Sequence, residues 1–187
     1  MRMSARALLA QSMRDVVRVT ALLFKNDAAW IDSGLPFRLV RNDNPDVSFP
    51  FSAAAGSNVY AVDDVPDGTY VIYAKTTPNA TTLGPTRTYF GTITVSGENV
   101  TIPLHYYSVT LTAGVGIIQS NLVGGVAWIV KGGLRNIRAT NAVKEGYQWA
   151  NWTNTDDGTV FSTAQTGLSL SGISREYRLT ANAVPVS

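Results

Sequence analysis

The chain has 187 residues, 45% apolar and 15% charged, enough for one large or two small domains with a buried core. It has no cysteine and a single histidine, His105, which excludes disulfides, thiolate metal sites and a cysteine nucleophile, and removes most histidine-based metal or general-base schemes. The net charge of +2 divides as +2 over residues 1–15, −2 over 16–105 and +2 over 106–187, a spread that favours neither nucleic acid nor a membrane surface as partner.

Residues 4–14 can form about two to three helical turns, with Ser4 as N-cap and Leu9 and Met13 at i, i+4. Two readings stand side by side. One is a frayed terminus. The other is a docking arm over residues 1–15 that buries Leu8, Leu9 and Met13 on a partner, with Arg2, Arg6 and Arg14 at the rim. The apolar run Ala7–Ala10 is shorter than the roughly 7–15 residues of a secretory h-region. No stretch approaches the roughly 20 apolar residues of a membrane span, and no cell-wall sorting sequence closes the chain. The expectation is a chain made and kept soluble in a cytoplasm.

From Val16 the period changes. Val16 to Phe24 is β-branched and apolar and reads as a first core strand, followed by turns at Asn26-Asp27 and Asp32-Ser33-Gly34. Leu35, Phe37 and Leu39 alternate onto one face, and Asn42 to Asp46 is a loop of turn formers. Asn58–Val62, the turn Asp63–Gly68 and Thr69–Ala74 read as strand, tight turn, strand. Thr88–Val95 and Asn99–Leu104 flank Ser96-Gly97-Glu98 with hairpin spacing. Regular short strands with turns between them, and no long helix, predict an all-β sandwich.

Gly34-Leu35-Pro36-Phe37, followed by Val65-Pro66-Asp67-Gly68-Thr69-Tyr70-Val71-Ile72, resembles the prealbumin-like and Cna-B-type sandwiches over residues 16–104. The resemblance implies a stalk or spacer on an extracellular or virion surface. Cna-B domains often hold Lys–Asn isopeptide bonds. Lys25 and Lys75 are the only lysines of this segment, no acidic partner can be placed beside them, and that chemistry is not carried over.

The second half opens on Tyr106–Ala113. Gly-rich segments follow at 114–116 and 124–125, then Ala127–Val130 and Leu134–Thr140 on either side of Lys131-Gly132-Gly133. Next comes Glu145-Gly146-Tyr147-Gln148-Trp149-Ala150-Asn151-Trp152. Alternation puts Tyr147, Trp149 and Asn151 on one face, while Trp152 breaks the register or starts the opposite face. Arg178–Ala183 closes the chain. Tyr107, Gly132, Ala139, Gly146, Tyr147, Trp149, Trp152, Thr180, Ala181 and Asn182 stand where the InlB B-repeat family has its pattern, so residues 107–183 resemble a divergent member. Two departures are visible: Ala183 replaces the usual closing aromatic, and 153–175 is longer than usual.

Each candidate for chemistry has a plainer reading beside it. Asp156-Asp157-Gly158 lacks the alternating ligands and distal Glu of a calcium loop and reads as a hairpin turn. Asp63, Asp64 and Asp67 could share a metal or act as an acid/base pair, and turn formation explains them with fewer assumptions. His105 has no second histidine or serine motif to build a triad on, and is expected to pack between the strands of two domains. Trp128, Tyr147, Trp149 and Trp152 could form a sugar-stacking platform. Core packing is the favoured reading for them.

The expectation is therefore a non-enzymatic, all-β protein without cofactor or metal. It comprises an N-terminal docking arm (1–15), an Ig/prealbumin-like sandwich (16–105) and an InlB B-repeat-like β-domain (106–187). The two resemblances imply surface display. The expected role is that of a phage virion component: a capsid decoration, head-fibre or tail-associated protein, assembled in the host cytoplasm and contacting capsid or other virion subunits. The alternatives are a bacterial cell-surface adhesin or stalk module, and a carbohydrate-binding module with a cell-surface glycan as partner.

Overall fold

The computed structural model describes residues 17–35, 37–75, 87–123 and 126–187, with the backbone alone at 74–75 and 87–91. The arm residues Arg2, Arg6, Leu8, Leu9, Met13 and Arg14 lie outside the described residues, as do Pro36, the loop 76–86 and Gly124-Gly125. The described residues form fifteen strands and one 3-10 turn, Gln119–Asn121, so the protein is all-β. Among them no helix is long and apolar enough to cross a membrane.

The first nine strands are β1 (Val19–Lys25), β2 (Ala28–Ala29), β3 (Arg38–Arg41), β4 (Ser48–Pro50), β5 (Ser52–Ala53), β6 (Val59–Val62), β7 (Gly68–Lys75), β8 (Arg87–Val95) and β9 (Val100–Ala113). Six follow: β10 (Val126–Val130), β11 (Arg135–Ile137), β12 (Tyr147–Asn154), β13 (Val160–Ser162), β14 (Leu168–Leu170) and β15 (Tyr177–Pro185). They divide into two units. The first takes the described residues up to Leu23, those of Ala29–Lys75, and 87–104; the second takes Phe24–Ala28 and those of His105–Ser187. β9 is continuous through the boundary between Leu104 and His105.

In the first unit the sheets run β9-β1-β6-β5, with β2 on β1, and β4-β3-β7-β8. The alternation of apolar residues explains why these segments are strands. Val19, Ala21 and Leu23 of β1 point inward and are fully buried while Thr20 and Leu22 are not, and Leu35, Phe37 and Leu39 are buried while Arg38 and Val40 turn outward. Leu39 lies opposite Ile72 on β7, and both are fully buried. The Phe37 ring meets Tyr60 of the other sheet edge-to-face, centroids 5.1 Å apart, so the core sits between the sheets as in a sandwich.

Two connections read from the sequence as hairpins are crossovers between sheets. β6 pairs with β1 and β5, whereas β7 pairs with β3 and β8. The five residues between them cannot turn back on themselves because Val65 is buried, with its N–H on the Val17 carbonyl (3.2 Å), while the Tyr70 hydroxyl holds the Pro66 carbonyl (2.8 Å). This is the tyrosine-corner arrangement of β-sandwiches. Likewise β8 pairs with β7 and β9 with β1. Gly97 donates its N–H to Asp67 (2.8 Å) and Val100 donates to the Arg18 carbonyl (3.0 Å), which carries the chain from one sheet to the other.

In the second unit the main sheet runs β13-β12-β15-β9-β10. β15 is parallel to β9, and the other pairs are antiparallel. β11 and β14 form a separate two-stranded sheet. Large core residues (Val109, Leu111, Ile129, Ile137, Trp152, Leu179) alternate with alanines 127, 139, 142, 181 and 183. Ala181 stands opposite Trp152 and Ala183 opposite Trp149. Alanine in place of an aromatic at 183 thus leaves room for the Trp149 indole, and the long segment 153–175 supplies β13 and β14.

The tip of the β1–β2 hairpin belongs to this second unit. Asn26 and Asp27 both have positive φ (45° and 64°), the twist that a two-residue hairpin loop requires. Asn26 exchanges hydrogen bonds with Ser108: its carboxamide accepts the Ser108 N–H (3.0 Å) and donates to the hydroxyl (3.1 Å). Asp27 accepts the Tyr107 hydroxyl (2.8 Å). A chain divided between residues 105 and 106 would part these pairs.

Candidate functional site

The aromatic strand is shaped by one irregularity. A β-bulge falls between Trp149 and Asn151, where Ala150 has no partner on β15. The extra residue shifts the alternation by one. Trp152 therefore joins Tyr147 and Trp149 on the core side, and Asn151 moves to the opposite face, where it accepts a hydrogen bond from Asn182 (3.0 Å). Of the two sequence readings for Trp152, the register break is the one realised, and Asn151 does not continue the aromatic face.

Both indole N–H groups on β12 are used inside the protein. Trp152 is fully buried and donates to the Ala164 carbonyl (3.0 Å), and Trp149 donates to the Thr163 carbonyl (2.9 Å). The two rings meet edge-to-face at 5.5 Å. Tyr147 lies against Gly116, so closely that a Cβ there would stand 2.3 Å from the ring. Trp128 is elsewhere: Ala127 and Ile129 of β10 enter the core, which turns Trp128 to the other face of the sheet, with the Lys25 ammonium 5.7 Å from its ring centroid. β10 also lies three strand spacings from β12, about 14 Å. The structure thus gathers Tyr147, Trp149 and Trp152 around one core and keeps Trp128 apart, and the four rings do not form one platform.

Several acidic side chains are tied into turns or paired with an arginine. Asp63 forms a two-point pair with Arg18 (2.6 and 3.0 Å), and that hydrogen bonding holds its carboxyl below the usual range. Asp67 caps Gly97, Asp32 caps the Gly56 N–H (2.9 Å), and Asp64 occupies a positive-φ turn position, so Asp63, Asp64 and Asp67 do not converge. Asp156 pairs with Arg178. Asp157 accepts both the hydroxyl and the N–H of Thr159 (2.7 and 2.9 Å), which lowers its pKa. His105, on β9 in the second unit, stacks on Phe24 at 4.9 Å, with Nδ1 3.4 Å from Asp27 Oδ1 but not in hydrogen-bond geometry. The bond to Asp27 raises the Tyr107 phenol. Among the described residues no three His, Asp or Glu side chains converge to hold a metal.

One concave feature was not legible as a site. On the outer face of the β4-β3-β7 sheet, Arg38, Val40, Arg41, Asn42, Pro45, Ser48, Val71 and Tyr73 line a cleft of about 180 Å³. Arg38 stands directly opposite Tyr73 in the β3–β7 register. Its Nε–H and Nη2–H both point to the Ser48 hydroxyl (3.2 and 2.7 Å). The sequence does carry one signal, since the Leu35/Phe37/Leu39 alternation turns Arg38 and Val40 outward. The partners 10 and 35 residues away leave no local trace.

No protein-family model and no curated protein sequence matches the chain. Several solved structures are similar to it at low identity. The TIE protein of Bacillus anthracis matches at 14% identity with a TM-score of 0.37 over 89% of this chain, which spans 34% of that protein's length. A DUF3823 family protein from Parabacteroides merdae matches at 6% identity and TM-score 0.36, covering 91% of this chain and 81% of the other. The C-terminal fragment of the pilus adhesin SpaC from Lactobacillus rhamnosus GG matches at 10% and 0.22, over 91% and 98%. These scores are too low to carry an activity, a ligand or a partner across.

Proposed function

We propose that this chain is a non-catalytic structural or display protein, built of two β-modules and anchored to a larger assembly by residues 1–15. One observation carries the reading. Asp63, Asp67, the indole N–H groups of Trp149 and Trp152 and the turn residue Asn26, which could have served chemistry, are engaged in fastening turns and strands to each other. The finer reading is a virion component, a capsid decoration, head-fibre or tail-associated protein, whose partners are other virion subunits. It is supported by the resemblance of residues 16–104 to prealbumin-like and Cna-B-type sandwiches and of 107–183 to InlB B-repeats, both display modules. The basic arm, with Leu8, Leu9 and Met13 available for burial, supplies the anchor. A bacterial surface adhesin or stalk is the alternative placement of the same modules.

Deleting residues 1–15 is expected to leave the melting temperature nearly unchanged and to abolish co-sedimentation with the purified phage particle. Equal sedimentation of the truncated and full-length chains would remove the arm as anchor. Absence of the full-length chain from the particle would remove the virion reading and favour the bacterial surface.

A further inference from the structure

The cleft on the outer face of the β4-β3-β7 sheet has a chemistry that the structural role does not use. Arg38 is half-buried there, and its guanidinium meets only a neutral acceptor, the Ser48 hydroxyl. The other guanidinium that lines the cleft, Arg41, is paired with Asp43 (2.7 Å), as Arg18 elsewhere is with Asp63. Of the 13 acidic residues in the chain, all but Asp15 are described, and none lies within ion-pair distance of Arg38. A guanidinium carries five N–H donors in a planar fork that fits a carboxylate edge-on. Two of them go to Ser48, and three face no acceptor among the described residues.

What surrounds that cation selects further. Tyr73 lies directly across the strand pair, so its Cβ stands about 5 Å from that of Arg38 and its ring forms a wall of the cleft. Val71 is buried at the floor, while Asn42 and Ser48 add a carboxamide and a hydroxyl. The volume of about 180 Å³ is below the roughly 300 Å³ at which drug-sized ligand pockets begin, and takes one ring rather than an extended chain. An aromatic wall, an apolar floor, neutral hydrogen-bonding groups and one cation without a carboxylate partner answer the features of a sugar acid. The ring stacks on Tyr73, its hydroxyls meet Asn42 and Ser48, and its carboxylate meets Arg38.

We infer that this cleft binds a single hexuronate residue of an acidic saccharide, with Arg38 taking the carboxylate and Tyr73 the pyranose face. This site is independent of the arm, and its failure would leave the anchoring role standing. The test is a ¹H–¹⁵N titration of the full-length chain with sodium glucuronate. Saturable shifts are expected at the Arg38 Nε–H and at the amides of Val40, Ser48 and Tyr73, with glucose at least ten-fold weaker. Arg38→Gln and Tyr73→Leu should each lose ten-fold or more in affinity while keeping the wild-type amide spectrum elsewhere, which guards against a merely unfolded variant. Shifts that fail to saturate, or that survive in Arg38→Gln, would overturn the site. Equal binding of N-acetylglutamate would overturn the sugar assignment in favour of a peptide carboxylate.

Discussion

Replacing Trp152 with alanine is expected to cost the second unit about 3–5 kcal/mol, the range for emptying a buried large aromatic site. The ring is fully buried, stands over Ala181, and supports Trp149 edge-to-face. Its loss also leaves the Ala164 carbonyl without its donor, and that carbonyl lies in the long connection the two indoles hold down. Urea unfolding of the full chain, followed at the amides of β12 and β15, measures the effect. Trp149→Ala should cost less, because Trp149 is only partly buried. Simple alternation without a bulge would put Trp149 and Trp152 on opposite faces of the strand. A larger loss at Trp149 than at Trp152 would mean that the bulge at Ala150 does not form.

Gly116→Ala is expected to cost about 2–5 kcal/mol, from two sources that act together. Residue 116 has φ of +76°, a conformation that costs an L-residue about 1–2 kcal/mol. The new methyl would also stand 2.3 Å from Tyr147 Cδ1 and 2.9 Å from Cε1, and displacing a packed ring typically costs about 1–3 kcal/mol more. A double-mutant cycle separates them. Gly116→Ala combined with Tyr147→Ala removes the collision and keeps the backbone strain, so it should be less destabilised than the sum of the single changes by about 1 kcal/mol or more. Additivity within about 0.5 kcal/mol would show that the ring does not rest on Gly116.

Much of the fold follows from local alternation. Leu35, Phe37 and Leu39 announce their strand face because a strand's period of two is visible in six residues, and the turn at Asn26-Asp27 is visible because few other residue pairs tolerate positive φ. What a turn cannot reveal is which strand its exit will pair with. Val65-Pro66-Asp67-Gly68 bends the chain whether β7 returns to β6 or crosses to the other sheet. The choice is made by Val65 finding the core and Tyr70 reaching the Pro66 carbonyl. The bulge at Ala150 is hidden for a related reason. It is set by the fit of Trp149 and Trp152 over the alanines of β15, about thirty residues on, and period-two counting assumes that no such residue is inserted. The parallel pairing of β15 with β9 joins residues 68 apart and has no counterpart in either strand's own composition. The aromatic candidates were legible as residues but not as an arrangement, since the face that Trp128 occupies depends on the core claiming Ala127 and Ile129.

The tryptophans of β12 serve the protein's own architecture rather than a ligand surface. Hydrogen–deuterium exchange at the indole N–H groups of the full-length chain tests this most directly. The Trp152 N–H, buried against the Ala164 carbonyl, should exchange with strong protection, close to that of the slowest core amides, and should not shift on adding neutral oligosaccharides. Exchange as fast as a free indole, or a saturable shift of the Trp149 and Trp152 signals with sugar, would contradict it.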